Sequence, residues 1–129
     1  MRLIKQALFT LGLLLSMAYS LVAQAEQAIN HTVYLWLKQP GNVEHRQQIM
    51  AAAKQLAAIE GVESLTTGMV VSSDRTIVDD SFDVAISMEF SSEQQMNSYL
   101  INEQHVAIVA GQIQPLLASI VVYDFALIE

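Results

Sequence analysis

Apolar positions recur at two different spacings along this chain, and each stretch predicts its own element. INHTVYLWLK, residues 29–38, alternates: His31, Val33, Leu35 and Leu37 point one way, Thr32, Tyr34, Trp36 and Lys38 the other. Its β-branched and aromatic content makes it a strand, and QPGN ends it with turn residues. From about Val43 to Glu60 the pattern changes to helical spacing, with Ile49, Ala52, Ala53, Leu56 and Ala57 on one stripe and Gly61 placed to stop the helix. VESLTTGMVV predicts a second strand in which Gly68 marks a bulge or a close approach. A polar loop, SSDRTIVDDS, separates it from FDVAISMEF, a strand with Phe82, Val84, Ile86, Met88 and Phe90 on one face and Asp83, Ala85, Ser87 and Glu89 opposite. Ser92, three residues before Gln95, opens a second helical stretch with capping-box spacing. Pro115 signals the end of that stretch, and SIVVYDFALI closes the chain as a strand.

The order is β-α-β-β-α-β, the split βαβ arrangement of a ferredoxin-like α+β domain. Two helices cover one face of such a sheet. The last strand is apolar on both faces, with Ile120, Val122 and Ala126 against Val121, Tyr123, Phe125 and Leu127, and Tyr34 and Trp36 lie opposite the Val/Leu face of the first strand. A sheet apolar on both sides needs two coverings. A second copy is the simplest second cover, giving a homodimeric α/β barrel joined through Tyr34, Trp36, Tyr123 and Phe125.

Composition places this domain in a compartment. MRLIKQALFTLGLLLSMAYSLVAQA has a basic start at Arg2 and Lys5, an apolar run over residues 7–17 and a small-x-small site at Ala23–Ala25. These are the parts of a secretory signal, and the run is short against the ~20 residues that span a bilayer. Cleavage after Ala25 is expected, with residues 26–129 as one exported domain, periplasmic or secreted. There is no Cys, which excludes a lipid-modified anchor Cys and any disulfide. Without Arg2 and Lys5, four basic residues face thirteen acidic ones, a formal charge of −9. That balance argues against nucleic acid and anionic membrane surfaces as partners.

HTVYLWLK in the first strand, IEGVESLTTG after the first helix, FDVAISMEFSSEQQMNSYLINEQH in the middle and IVVYDF near the end resemble the stress-responsive α/β-barrel (Dabb) family, from about Ile29 to Phe125. The resemblance implies a ferredoxin-like fold forming a dimeric α/β barrel. Most members have no assigned activity; some plant members are cofactor-free polyketide cyclases with a Tyr and a His in a pocket between sheet and helices. Tyr99 and His105 fall on those positions, and His31 matches a further His common in the family. This chain reads Asn102-Glu103 where the family usually has His-Pro, so it lacks the proline that breaks the helix there.

That departure matters geometrically. Six residues of unbroken α-helix turn the chain by about 600°, leaving Tyr99 and His105 roughly 120° apart. They converge only if the helix breaks between them, and Asn102 is a good N-cap for a fresh helix whose first turn suits Glu103. With the break, His105 serves as general base, Tyr99 hydrogen-bonds a developing enolate oxygen, and His31 orients either group. The structural alternative is that Tyr99 packs with its hydroxyl at the rim while His105, as a residue of the second helix, bonds a backbone carbonyl.

Other candidates carry less. His45 is expected in solvent near a helix start. The three His lack zinc spacing unless folding gathers His31, His105 and Glu89, and Asp79-Asp80 lacks the alternating carboxylates of a calcium loop. No phosphate loop or nucleophile elbow is present, and neither cofactor nor metal is implied. Three functions stay open: a small-molecule-binding or stress-related module for an apolar or aromatic ligand, a cofactor-free enzyme of cyclase or heme-free oxygenase type using Tyr99, His105 and His31, and a structural assembly unit.

Overall fold

Alternation at the start of the domain becomes β1 (Ile29–Leu37) in the computed structural model, which describes residues 26–128; the expected leader, residues 1–25, lies outside them. Asn42 then caps α1 (Val43–Ala57), its side chain accepting from His45 N at 2.9 Å. β2 (Ser64–Met69), β3 (Val84–Phe90), α2 (Glu93–Leu100), α3 (Glu103–Ile108) and β4 (Leu117–Ala126) follow. A π turn (Val109–Ile113) and a 3-10 turn (Gln114–Leu116) connect α3 to β4. The four strands form one antiparallel sheet in the order β2-β3-β1-β4, so the fold is ferredoxin-like. No helix among the described residues is long and apolar enough to cross a membrane.

The helices lie on the face predicted from the alternation. Val33, Leu35 and Leu37 of β1 and Val84, Ile86, Met88 and Phe90 of β3 are buried with Ile49, Ala52, Ala53 and Leu56 of α1. α1 ends at Ala57, short of the expected Glu60, and Ala57 itself is exposed while Ile59 continues the core. Gly61 sits in the turn beyond, at φ +95°, where a Cβ would come 2.9 Å from Gln95 Oε1 on α2. The left-handed backbone favours glycine there, while the Gln95 side-chain end could move aside.

Three strand expectations are corrected. Gly68 is neither a bulge nor a close approach: β2 pairs with β3 in unbroken register, Gly68 opposite Ala85, and a Cβ there would meet nothing. The outer parts of VESLTTGMVV are loop. Phe82 does not share the face of Val84. The chain bends at Asp83, whose carboxylate turns inward and accepts from Leu37 N at 3.0 Å, Gly41 N at 2.7 Å and Arg46 Nη2 at 3.0 Å. One inward bend breaks the two-residue period, and Phe82 packs instead on the open face, 5.0 Å from Tyr34 and 6.4 Å from Trp36 between ring centroids.

That open face is only half apolar. At one end Tyr34, Trp36, Phe82, Val121 and Tyr123 line a concavity. At the other, Thr32 donates to Asn30 Oδ1 and Asn30 Nδ2 to Ser87 Oγ, a polar ladder across β1 and β3. Tyr123 is 59% exposed and Phe125 50%. β4 is also an edge strand, apolar on both sides and without a neighbour along its outer edge among the described residues.

Candidate functional site

Asn102 does what the site requires. α2 ends at Leu100, and Asn102, in extended conformation, accepts from Gln104 N at 2.8 Å and His105 N at 3.4 Å to start α3. The break swings His105 onto Tyr99, their ring centroids 4.5 Å apart. His105 Nδ1 lies 3.0 Å from Leu100 O, so its hydrogen satisfies a carbonyl left free at the C-terminus of α2. The backbone-carbonyl bond expected for a purely structural His is therefore present, in a residue that also faces Tyr99. Because Nδ1 carries the hydrogen, Nε2 keeps its lone pair.

Tyr99 is not at the rim. It is 1% exposed, packed 5.1 Å from the Phe90 ring centroid, and its buried hydroxyl has no hydrogen-bond partner among the described residues. His31 reaches the same place from β1, 6.4 Å edge-on to Tyr99. Its Nδ1 is 2.5 Å from Asp124 Oδ1, so the carboxylate accepts and the imidazole orientation is fixed.

These three side chains line a cavity of about 180 Å³ between the sheet and the helices. Every other lining residue is aliphatic or Met: Val33, Leu35, Ile86 and Met88 below, Leu56, Leu100, Val109 and Ile113 from the helical side, Ile120 and Val122 from β4. Ile120 and Val122 are about half exposed, so the cavity opens along the β4 edge. Burial holds the His105 pKa below its ordinary value against the opposing Leu100 hydrogen bond, and the nearby His31 adds to the lowering. Burial pushes the Tyr99 hydroxyl well above the usual phenol range. At neutral pH the pocket thus presents a neutral imidazole base and a phenol that stays protonated.

Asp124 escaped the sequence reading. Its signal is a lone carboxylate on the inward face of an apolar strand, in line with Ile120 and Val122, and antiparallel register sets it opposite His31. His45 is half-buried rather than solvated, its Nδ1 enclosed with no partner among the described residues. Glu89 pairs with Asn30 on the open face, so it does not gather with His31 and His105, and no group of three potential metal ligands occurs among the described residues. Asp79 and Asp80 tie their own loop, accepting from Ser81 and from Ser73 N.

The chain belongs to the stress responsive A/B barrel domain family, which it matches over residues 29–127. Among solved structures it is similar to a Dabb family protein with a ferredoxin-like fold from Mesorhizobium loti: 25% identity, 81% of this chain and all of the other covered, TM-score 0.67. A dimeric ferredoxin-like protein of unknown function from Thermobifida fusca gives 24% identity, 79% and 92% coverage and TM-score 0.64. A hydroxynitrile lyase from Passiflora edulis gives 18%, 80% and 95%, and 0.69, a likeness of fold alone. A search of curated proteins finds no match.

Proposed function

We propose that this protein binds a small, largely apolar molecule in the cavity beside Tyr99 and catalyses proton transfer on it without a cofactor. One observation carries the reading: a phenol and two imidazoles held by fixed partners converge on one otherwise aliphatic cavity, and the phenol hydroxyl is buried with no partner among the described residues. A buried hydroxyl left unpaired costs about 1–3 kcal/mol, a cost that a ligand oxygen removes. His105 Nε2 takes a proton from a carbon next to a carbonyl. Tyr99 donates to the carbonyl oxygen as it becomes an enolate, and His31, held by Asp124, orients the substrate; the proton then returns from His105 to carbon. The Passiflora hydroxynitrile lyase supports the use of this scaffold by enzymes. Binding without turnover is the second reading, favoured by the overwhelmingly aliphatic lining. Titration with small aryl ketones, followed through the histidine ring resonances, tests both: shifts at His105 and His31 that are lost in Tyr99→Phe support the site, and their absence refutes it.

We propose further that two copies pair through the aromatic half of the open face, around Tyr34, Trp36, Tyr123 and Phe125. Structural relatives are dimeric, which supports pairing. Covering that face leaves the mouth at Ile120 and Val122 free, since these lie on the helix side of β4. The pattern of residues 1–25 supports export to the periplasm or medium. N-terminal sequencing of the fractionated protein tests this: a chain starting at Glu26 outside the cytoplasm is expected, and an intact Met1 in the cytoplasm overturns it.

A further inference from the structure

We infer that the cavity selects uncharged ligands, taking a neutral single-ring or branched aliphatic molecule with one ketone or hydroxyl oxygen and rejecting its carboxylate and amidinium counterparts. This rests on the proposed site and extends it to the charge and size of what enters.

Size comes from the space. Aliphatic cavities of about 150 Å³ hold a benzene ring, and this one is about 180 Å³. One ring with a short substituent fits inside, and anything larger must extend through the mouth at Ile120 and Val122.

Charge selection follows from the lining. No Lys, Arg, Asp or Glu contributes to it. The nearest carboxylate, Asp124, is occupied by His31 Nδ1 and does not reach the cavity wall. His105 has committed its Nδ1 hydrogen to Leu100 O and so offers an acceptor at Nε2, while His31 is tied at Nδ1 to Asp124, within a pair that balances its own charge. Tyr99 supplies a donor with no partner of its own among the described residues. A ketone or hydroxyl oxygen takes that donor, and an acidic hydrogen beside it meets an imidazole nitrogen. A carboxylate would be stripped of water, face the His105 lone pair and find no Lys or Arg to pair with, and an unpaired buried charge is far costlier than an unpaired neutral group. An amidinium would find acceptors but no counter-charge.

Three probes of equal heavy-atom count test this on the purified protein at pH 7.5: acetophenone, benzoate and benzamidinium. Acetophenone is expected to bind on the order of 100-fold more tightly than either ion. Ile120→Arg, at a half-exposed lining position, is expected to raise benzoate affinity by about tenfold. Benzoate binding as tightly as acetophenone to the wild type, no gain in Ile120→Arg, or no binding of any probe would overturn the inference. The catalytic reading fails separately: acetophenone that binds with this selectivity but never exchanges its methyl hydrogens with D2O leaves selection standing and removes proton transfer.

Discussion

Asn102→Ala isolates the device on which the site depends. The Asn102 side chain accepts one short bond, from Gln104 N at 2.8 Å, and one long bond, from His105 N at 3.4 Å. Alanine strands both donors at the start of α3, which costs about 1 kcal/mol by analogy with other N-caps. In a domain of about a hundred residues that lowers Tm by roughly 4–8 °C. The consequence for the site exceeds the loss of stability, because without the cap α2 and α3 compete to fuse and carry His105 away from Tyr99. The companion change is Glu103→Pro. Glu103 occupies the first position of α3, where proline is favoured, and Asn102 already has φ −62° and ψ 133°, the backbone a residue before proline adopts. Proline there stabilises by about 0.4–1 kcal/mol through the unfolded chain, offset by loss of a carboxylate worth about 0.3–1 kcal/mol at the helix start. Urea denaturation at one fixed protein concentration, paired with acetophenone binding, measures both. Asn102→Ala is expected to lose stability and more than tenfold in affinity, and Glu103→Pro to hold both near wild type. If Asn102→Ala binds as tightly as wild type, or Glu103→Pro abolishes binding, the helix break is not what assembles the site.

Three further outcomes follow from the same geometry. Tyr99→Phe removes an unpartnered buried hydroxyl, so Tm is expected to stay level or rise while ketone affinity falls about tenfold; a fall in Tm shows that the hydroxyl is satisfied within the protein. Burial pushes the Asp83 carboxyl up, but the Leu37 and Gly41 N–H donors and Arg46 outweigh it and leave the pKa below the ordinary carboxyl value. Its stabilisation is therefore present above the unfolded value of 3.8 and drains as pH falls through the lower folded value. Urea midpoints should drop less steeply below pH 4 in Asp83→Asn, which starts about 1.5–3 kcal/mol less stable at pH 7; parallel profiles contradict this. Tyr123→Glu puts a charge on the aromatic half of the open face and is expected to give a folded monomer by sedimentation velocity, whereas an unaltered dimer moves the interface elsewhere.

Sequence pattern carried the architecture because sheet and helix periods are local. The alternation of β1 and of Val84–Phe90, the Ser92 and Asn102 caps and the two-sided apolarity of β4 can all be read within a dozen residues. Even the break between Tyr99 and His105 was legible, since Asn102 is a local signal. What escaped depends on side chains meeting across the sheet. Asp124 gains meaning only when register sets it opposite His31, and Asp83 only when its carboxylate is seen bridging the β1–α1 turn to Arg46. That inward turn reverses Phe82, a one-residue event that no periodicity reports. Gly68 misled for the opposite reason: its β2 position is exposed, so glycine there answers no steric demand.

The proposed function requires His105 to act as a base within an apolar cavity. Deuterium uptake at the methyl group of acetophenone in D2O, followed by proton NMR across pH 4.5–8, tests it most directly. Exchange above the buffer rate is expected, abolished in His105→Ala, with an acid limb below the ordinary imidazole value of 6.5 because burial holds the His105 pKa down. Exchange no faster than buffer, or equally fast in His105→Ala, contradicts it.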